Sequence, residues 1–206
     1  MLEQIKKRLT NKVIFELDKE NNTIRDTVEE AVRRGISLSR ADFSCATLKG
    51  ADLHGAKLYN ASFANANLEG ANIEDAQLDN TILDNTIMPD FPIACPETGT
   101  FIGYKKVFCT EEYGFKRSFI VKLEIPEDAK RSSSTTNKCR CSKAKVLEVK
   151  DMELDEKVRK ITNINMFTCV YEVGEYVYPD SFDECRWNEC SNGIHFFMTE
   201  EEAASY

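Results

Sequence analysis

The chain contains no run of about 20 apolar residues, the length a helix needs to cross a bilayer, so no membrane-spanning helix is expected. It also lacks the G-x-S-x-G elbow, the P-loop and the dinucleotide fingerprint, and with them the usual signatures of acyl, phosphoryl and hydride transfer. Only two of its 206 residues are histidine, His54 and His195. The opening Met1-Leu2-Glu3-Gln4-Ile5-Lys6-Lys7-Arg8 holds no apolar run of secretory length. An intracellular, cytoplasmic location is therefore expected, and the eight cysteines are read as reduced thiols rather than disulfides. Formal net charge is −8. Bases and acids number 8 and 7 in residues 1–35, 3 and 8 in 36–90, and 16 and 20 thereafter. That modest acidic balance argues for solubility and against general nucleic-acid binding.

What the chain does have is a period of five. From about Ile36 to Asp90 the pentads read Ala41-Asp42-Phe43-Ser44-Cys45, Ala46-Thr47-Leu48-Lys49-Gly50, Ala51-Asp52-Leu53-His54-Gly55 and onward. On an α-helix each repeat would drift by about 140° around the axis, and on a strand it would change faces at every step. Only a chain that turns a corner in each pentad keeps its apolar residues on one side. The central place is filled without a break by Leu38, Phe43, Leu48, Leu53, Leu58, Phe63, Leu68, Ile73, Leu78, Leu83 and Met88. Two residues earlier stands alanine, from Ala41 through Ala76. One bulky and one small side chain per quarter-turn suit a narrow, filled tube. Two residues after the centre come Gly50, Gly55, Asn60, Asn65, Gly70, Asp75, Asn80, Asn85 and Asp90, types that tolerate positive φ or bond their own backbone. These are the corners. With four pentads to a coil, residues twenty apart stack, and Phe43 is expected beneath Phe63.

This A-(D/N)-L-x-x series resembles the pentapeptide-repeat family. The resemblance implies a right-handed quadrilateral β-helix for 36–90, a solenoid of under three coils and roughly 14 Å in height at the usual strand spacing. Some members of that family mimic DNA and bind type II topoisomerases, pairing through their C-terminal coil. The strings CPETGTFIGYKK, KCRCSKAKVLEV, YEVGEYVYP and ECSNGIHFF resemble an uncharacterised domain that accompanies pentapeptide repeats in some bacterial and phage proteins, which implies no activity.

A solenoid leaves open edges that must be covered. Residues 1–35 are read as the cap, with a strand from Lys12 to Asp18 and a helix from Asp26 to Gly35, Asp26 its capping residue. Residues 91–96 form a proline-rich junction. Residues 97–206 read as an α+β, mostly antiparallel domain, with strands at 101–108, 118–125, 144–149, 166–171 and 193–198. A final short helix is capped by Thr199. The whole is expected to be mainly β.

Three groups of residues carry chemistry, each with a plainer reading beside it. Cys139-x-Cys141 and Cys185-x4-Cys190, with Cys169 and His195, supply zinc ligands in number and type, but their spacing is poor and buried thiols are the plainer reading. Lys130, Arg131, Lys138, Arg140, Lys143 and Lys145 surround Ser132-Ser133-Ser134-Thr135-Thr136 with no acid between them. Such a loop suits a phosphate or nucleic-acid backbone; a mobile, solvated loop is the plainer reading. His195, with Glu184, Glu189 and Tyr178 near it in sequence, is a candidate general base or else an ordinary strand histidine. His54 should point outward. No cofactor is expected. The leading functional reading is a non-catalytic interaction or scaffold protein with a protein partner. The alternatives are a topoisomerase-binding DNA mimic and an enzyme or nucleotide-binding protein acting through the C-terminal domain.

Overall fold

The computed structural model describes residues 1–110, 116–163 and 169–206. Residues 166–168 of the expected 166–171 strand therefore lie outside the described residues. The described chain is mainly β with two helices, and its named sheets are antiparallel. It divides into two units. The first is 1–92 together with 134–136 and 187–190, and the second is 93–133, 137–186 and 191–206.

In the first unit, β1 (Leu2–Lys6) pairs antiparallel with β2 (Val13–Asp18), and α1 (Ile24–Arg33) follows. The helix begins earlier than the sequence suggests. Thr23 is its N-cap and accepts the Asp26 amide, while the Asp26 carboxylate accepts the Thr23 amide at 3.0 Å. Asp26 thus fills the third helical place of a capping box, where the acid answers the cap rather than being it. Val28 and Ala31 are fully buried on the pentad side of α1.

Through the pentads, single parallel bridges join residues twenty apart: Asp42 to Ser62, Thr47 to Asn67, Asp52 to Asn72, Lys57 to Gln77, Ser62 to Ile82 and Asn67 to Ile87. Two hydrogen bonds flank each bridge, as in Phe43 N–H to Ser62 O at 2.8 Å and Ser62 N–H to Ala41 O at 2.9 Å. Between bridges the chain turns. The carbonyl of each central residue accepts the amide three residues on, at 2.8–3.1 Å from Phe43→Ala46 to Leu83→Thr86. The residue just before that amide has positive φ at every corner from Arg40 and Cys45 through Gly50, Asn60 and Asp75 to Asn85. Positive φ at the third place alone defines a type II turn, which favours Gly or Asn there. The Asp or Asn between alanine and centre has its own task. Asp42, Asp52, Asn67 and Asn72 each accept, at 2.8–3.2 Å, the amide two residues ahead.

Inward, Phe43 stacks on Phe63 with centroids 5.1 Å apart. The central residues from Leu38 to Leu78 are buried, as is the alanine row apart from half-buried Ala46; Leu83 and Met88 in the last layer are half-buried. Thr81 and Thr86 replace alanine where the pattern decays, and their hydroxyls donate to Leu78 O and Phe63 O.

The second unit is built on a sheet ordered β11 (Tyr176–Val177), β7 (Ala144–Asp151), β4 (Lys116–Ile125), β3 (Phe101–Thr110), with β8 (Lys157–Val158) also on β7. A three-stranded sheet joins β12 (Ile194–Phe196), β6 (Cys139–Cys141) and β5 (Arg131–Ser133), and β9 (Lys160–Asn163) pairs with β10 (Cys169–Glu172). Gly103 on β3 lets the small sheet approach, because a Cβ there would lie 2.5 Å from the Phe196 ring. Helix α2 (Glu200–Ser205) closes the unit, capped by Thr199.

Cys45 sits at a left-handed corner beneath Asn65 and Asn85, whose side chains are already bonded to each other at 3.2 Å. Cys45→Asn removes the left-handed penalty and extends that ladder by one rung. It should raise the stability of the first unit by about 1 kcal/mol. The check is the denaturation midpoint followed by fluorescence of Trp187, which packs on this unit's core; an unchanged or lower midpoint would refute the corner assignment.

Candidate functional site

His195 lies half-buried on β12, in register with Arg140 on β6. Glu184 pairs with Lys130, Glu189 belongs to the first unit, and Tyr178 is 61% exposed. Lys105 of β3 reaches this strand, its ammonium donating to the His195 carbonyl at 3.1 Å. Burial pushes the Lys105 amine down to about 8, against the opposing pull of the Cys169 and Cys141 sulfurs. Nothing in the apolar run around Lys105 marks it in sequence. His54 is exposed, with Nδ1 4.0 Å from Glu74.

The two cysteine pairs do not converge. Cys139 and Cys141 are buried, whereas Cys185 and Cys190 are exposed, and Cys190 belongs to the first unit. Cys141 directs its thiol at Ile194 O, 3.7 Å away, and burial pushes it up to about 12. Burial pushes the Cys169 thiol up. Among the described residues no group of three or more His, Cys, Asp or Glu side chains is arranged to hold a metal ion. Cys139 directs its thiol at Asn137 O, 3.6 Å away.

The basic, hydroxyl-rich stretch is not a solvated loop. Ser132 and Ser133 lie in β5, Ser134 and Thr135 follow between β5 and β6, and all four are buried. Its two guanidiniums are spent on the backbone. Arg131 donates to the carbonyls of Gly99, Pro126 and Glu127 at 2.8 Å, and to those of Ala129 and Pro96 at 3.2 and 3.3 Å, beneath the Phe101 ring. Arg140, only 1% exposed, donates to Cys185 O and Asn192 O at 2.9 Å and Asp183 O at 3.0 Å, and stacks on Phe182. A guanidinium has five donors and no acceptor, so it gathers loop carbonyls that no strand satisfies. Lys138, 5% exposed, bonds the Tyr206 hydroxyl at 3.2 Å; Lys143 pairs with Asp128 at 2.5 Å, Lys130 with Glu184, and Lys145 stands half-buried opposite Tyr176. The six bases therefore do not converge on one anion site.

Residues 91–203 match the model of a family of unknown function, DUF5758. The chain belongs to that family. Residues 31–58 and 48–85 match the pentapeptide repeats, in eight copies. No curated protein and no solved structure matches the chain. The DUF5758 stretch includes residues 134–136 and 187–190, which cluster with the pentads rather than with the rest of the family's segment. Sequence alone leaves them inside the 97–206 domain.

Those two tips bond part of the last layer of the stack. By the register of the earlier layers, Asp75 and Asn80 would donate to a further coil and Ala76 O would accept from it. Instead the Asp75 amide donates to Thr135 O at 3.0 Å and the Thr135 hydroxyl donates to Ala76 O at 2.6 Å. The Asn80 amide donates to the Asn188 side chain at 2.8 Å, and Asp79 accepts the Cys190 amide at 3.0 Å. At the first layer β1 does the same work, with Asp42 N–H to Lys6 O at 2.9 Å and Arg8 N–H to Arg40 O at 3.0 Å. Helix α1 adds Arg25 to Lys49 O at 3.2 Å and takes the Asp52 amide on Glu29 at 3.0 Å. Beside α1 an open groove of about 850 Å³ is lined by acids, but Lys19 neutralises Asp26 there, Arg25 neutralises Glu29, and Arg33 and Arg34 hold the Glu30 carboxyl down to about 2. No described helix is long and apolar enough to cross a membrane.

Lys105 yields a pH test. Its native value of about 8 lies below the ordinary 10.5, so between those pH values the unfolded chain holds more protons and this lysine's contribution to stability rises with pH. The stability of Lys105→Met relative to wild type should therefore be highest below pH 8 and fall between pH 8 and 10.5. Urea titrations across that range, followed by circular dichroism, measure the difference; a pH-independent offset would place the amine in water.

Proposed function

We propose that this chain is a non-catalytic interaction protein. In this reading its pentad segment is a short right-handed quadrilateral β-helix, closed at both ends and contacted by a protein partner through its outward side chains. The observation that carries the reading is the satisfaction of the last-layer groups of Asp75, Ala76 and Asn80 by Thr135 and Asn188. A strand edge with its hydrogen-bonding groups occupied offers no template for another backbone. What the stack leaves exposed are polar columns such as Lys49 over Glu69 and His54 over Glu74. The parallel bridges at a spacing of twenty, with the stacked Phe43 and Phe63, support the β-helix itself.

Two further facts weigh against the alternatives. The DNA-mimic reading relies on pairing through the C-terminal coil, whose edge the tips already fill. The enzymatic reading asks for an acid and a base facing each other, and Glu184 is paired with Lys130. No cofactor enters this account.

Sedimentation tests it. The wild-type chain should run as a 23.5 kDa monomer and leave gyrase supercoiling unaffected at micromolar concentration. Thr135→Val combined with Asn188→Ala, which frees the Ala76 carbonyl and the Asn80 amide, should self-associate. A wild-type dimer, or inhibition of supercoiling, would defeat the reading.

A further inference from the structure

Two tyrosines stand exposed and side by side at the edge of the larger sheet. Tyr176 and Tyr178 are 47% and 61% exposed, while Val177 between them is buried. Alternation along the strand turns both phenols outward. Their ring centroids are 6.3 Å apart and the planes tilt by 34°. β11 ends its sheet, next to β7, and Tyr176 is in register with Lys145. Directly opposed residues share a face. One step along, Tyr178 follows Val177, and Lys143 precedes Ala144, the cross-strand partner of Val177. A lysine thus accompanies each tyrosine. Lys143 is held by the exposed Asp128 at 2.5 Å. Lys145 makes no ion pair among the described residues, with Glu124 in register on its other side. All of these residues lie within the second unit.

We propose that Tyr176 and Tyr178 form a platform on which two adjacent bases of a single-stranded nucleic acid stack, with Lys145 and Lys143 meeting its phosphates. Exposed phenols call for a ligand with flat faces, and the lysines beside them for one with negative charge. A single strand offers both, and because every base has such a face the binding tolerates sequence. A duplex keeps its base faces inside its own stack. A proline-rich segment also packs on aromatic side chains, but it gives the lysines nothing to bind. The acidic balance of the whole chain supplies no long-range attraction, so affinity rests on these short-range contacts. Lys145 is the readier cation, since a phosphate must compete with Asp128 for Lys143. The sequence conceals the site: the lysines belong to the basic, hydroxyl-rich stretch, and only the pairing of β7 with β11 brings aromatic rings alongside them.

Fluorescence anisotropy of a labelled oligothymidylate, at low salt and with the full chain, tests the proposal. The oligonucleotide should bind, and an unlabelled single strand should displace it where a duplex of equal length does not. Tyr176→Ala and Tyr178→Ala should each weaken binding about fivefold or more. Tyr176→Phe and Tyr178→Phe, which keep the ring, should bind as the wild type does. Lys145→Gln should make the slope of log affinity against log salt shallower by about 0.7. No binding, displacement by the duplex, alanine variants that bind like the wild type, or an unchanged salt slope in Lys145→Gln would each overturn the proposal. So would tyrosine-dependent binding of a proline-rich peptide without binding of the oligonucleotide.

Discussion

The structure of the first unit depends on one backbone event repeated every five residues: a type II turn in which the central carbonyl accepts the amide three residues on, across a residue of positive φ. Because the turn recurs at every pentad, residues twenty apart come into register and the bridges between layers form. The alanine that opens each pentad follows from this. It donates to the preceding corner and points inward beside a Leu, Ile or Phe, so the narrow interior admits little more than a methyl group there. Asp or Asn next to it secures the following corner by accepting an amide two residues ahead. Four of the five places thus have a physical duty, and only the place after the centre is left largely to solvent.

Such a stack has an intrinsic fault, because its first and last layers end in unpaired amides and carbonyls. The chain answers it with different groups at each end: a strand end and two α1 side chains at the start, and two loop tips at the finish. The tips come from within the stretch matched by DUF5758, so residues of that stretch bond the end of the repeat segment. In the second unit the corresponding liability is the carbonyls of long connections, and there Arg131 and Arg140 satisfy them.

How much of this the sequence revealed follows the range of each interaction. The pentads were legible residue by residue, since centre, alanine and corner are fixed within five positions. Cap Thr199 and most of the long strands were legible for the same reason. The N-terminal helix was misjudged by three residues because Asp26 and Thr23 are both good capping types, and only the reciprocal hydrogen bonds separate them. The Ser-Thr stretch was misread more deeply. Hydroxyls suggest water, yet the partners of Ser133, Ser134 and Thr135 include Ala94, Trp187 and Ala76, dozens of positions away. The partners of Arg140 were hidden in the same way. No local pattern encodes a contact made across a sheet.

The central claim is that amides at both outer layers of the pentad stack are bonded by the chain's own groups, and amide hydrogen exchange tests it most directly. The amides of Asp42, Asp52, Asp75 and Asn80 have no coil beyond them and yet are all bonded. They should exchange as slowly as interior amides such as that of Phe63, within about tenfold. Exchange of these four at the rate of open turns, with Phe63 still protected, would mean that the ends are bare and would contradict the account.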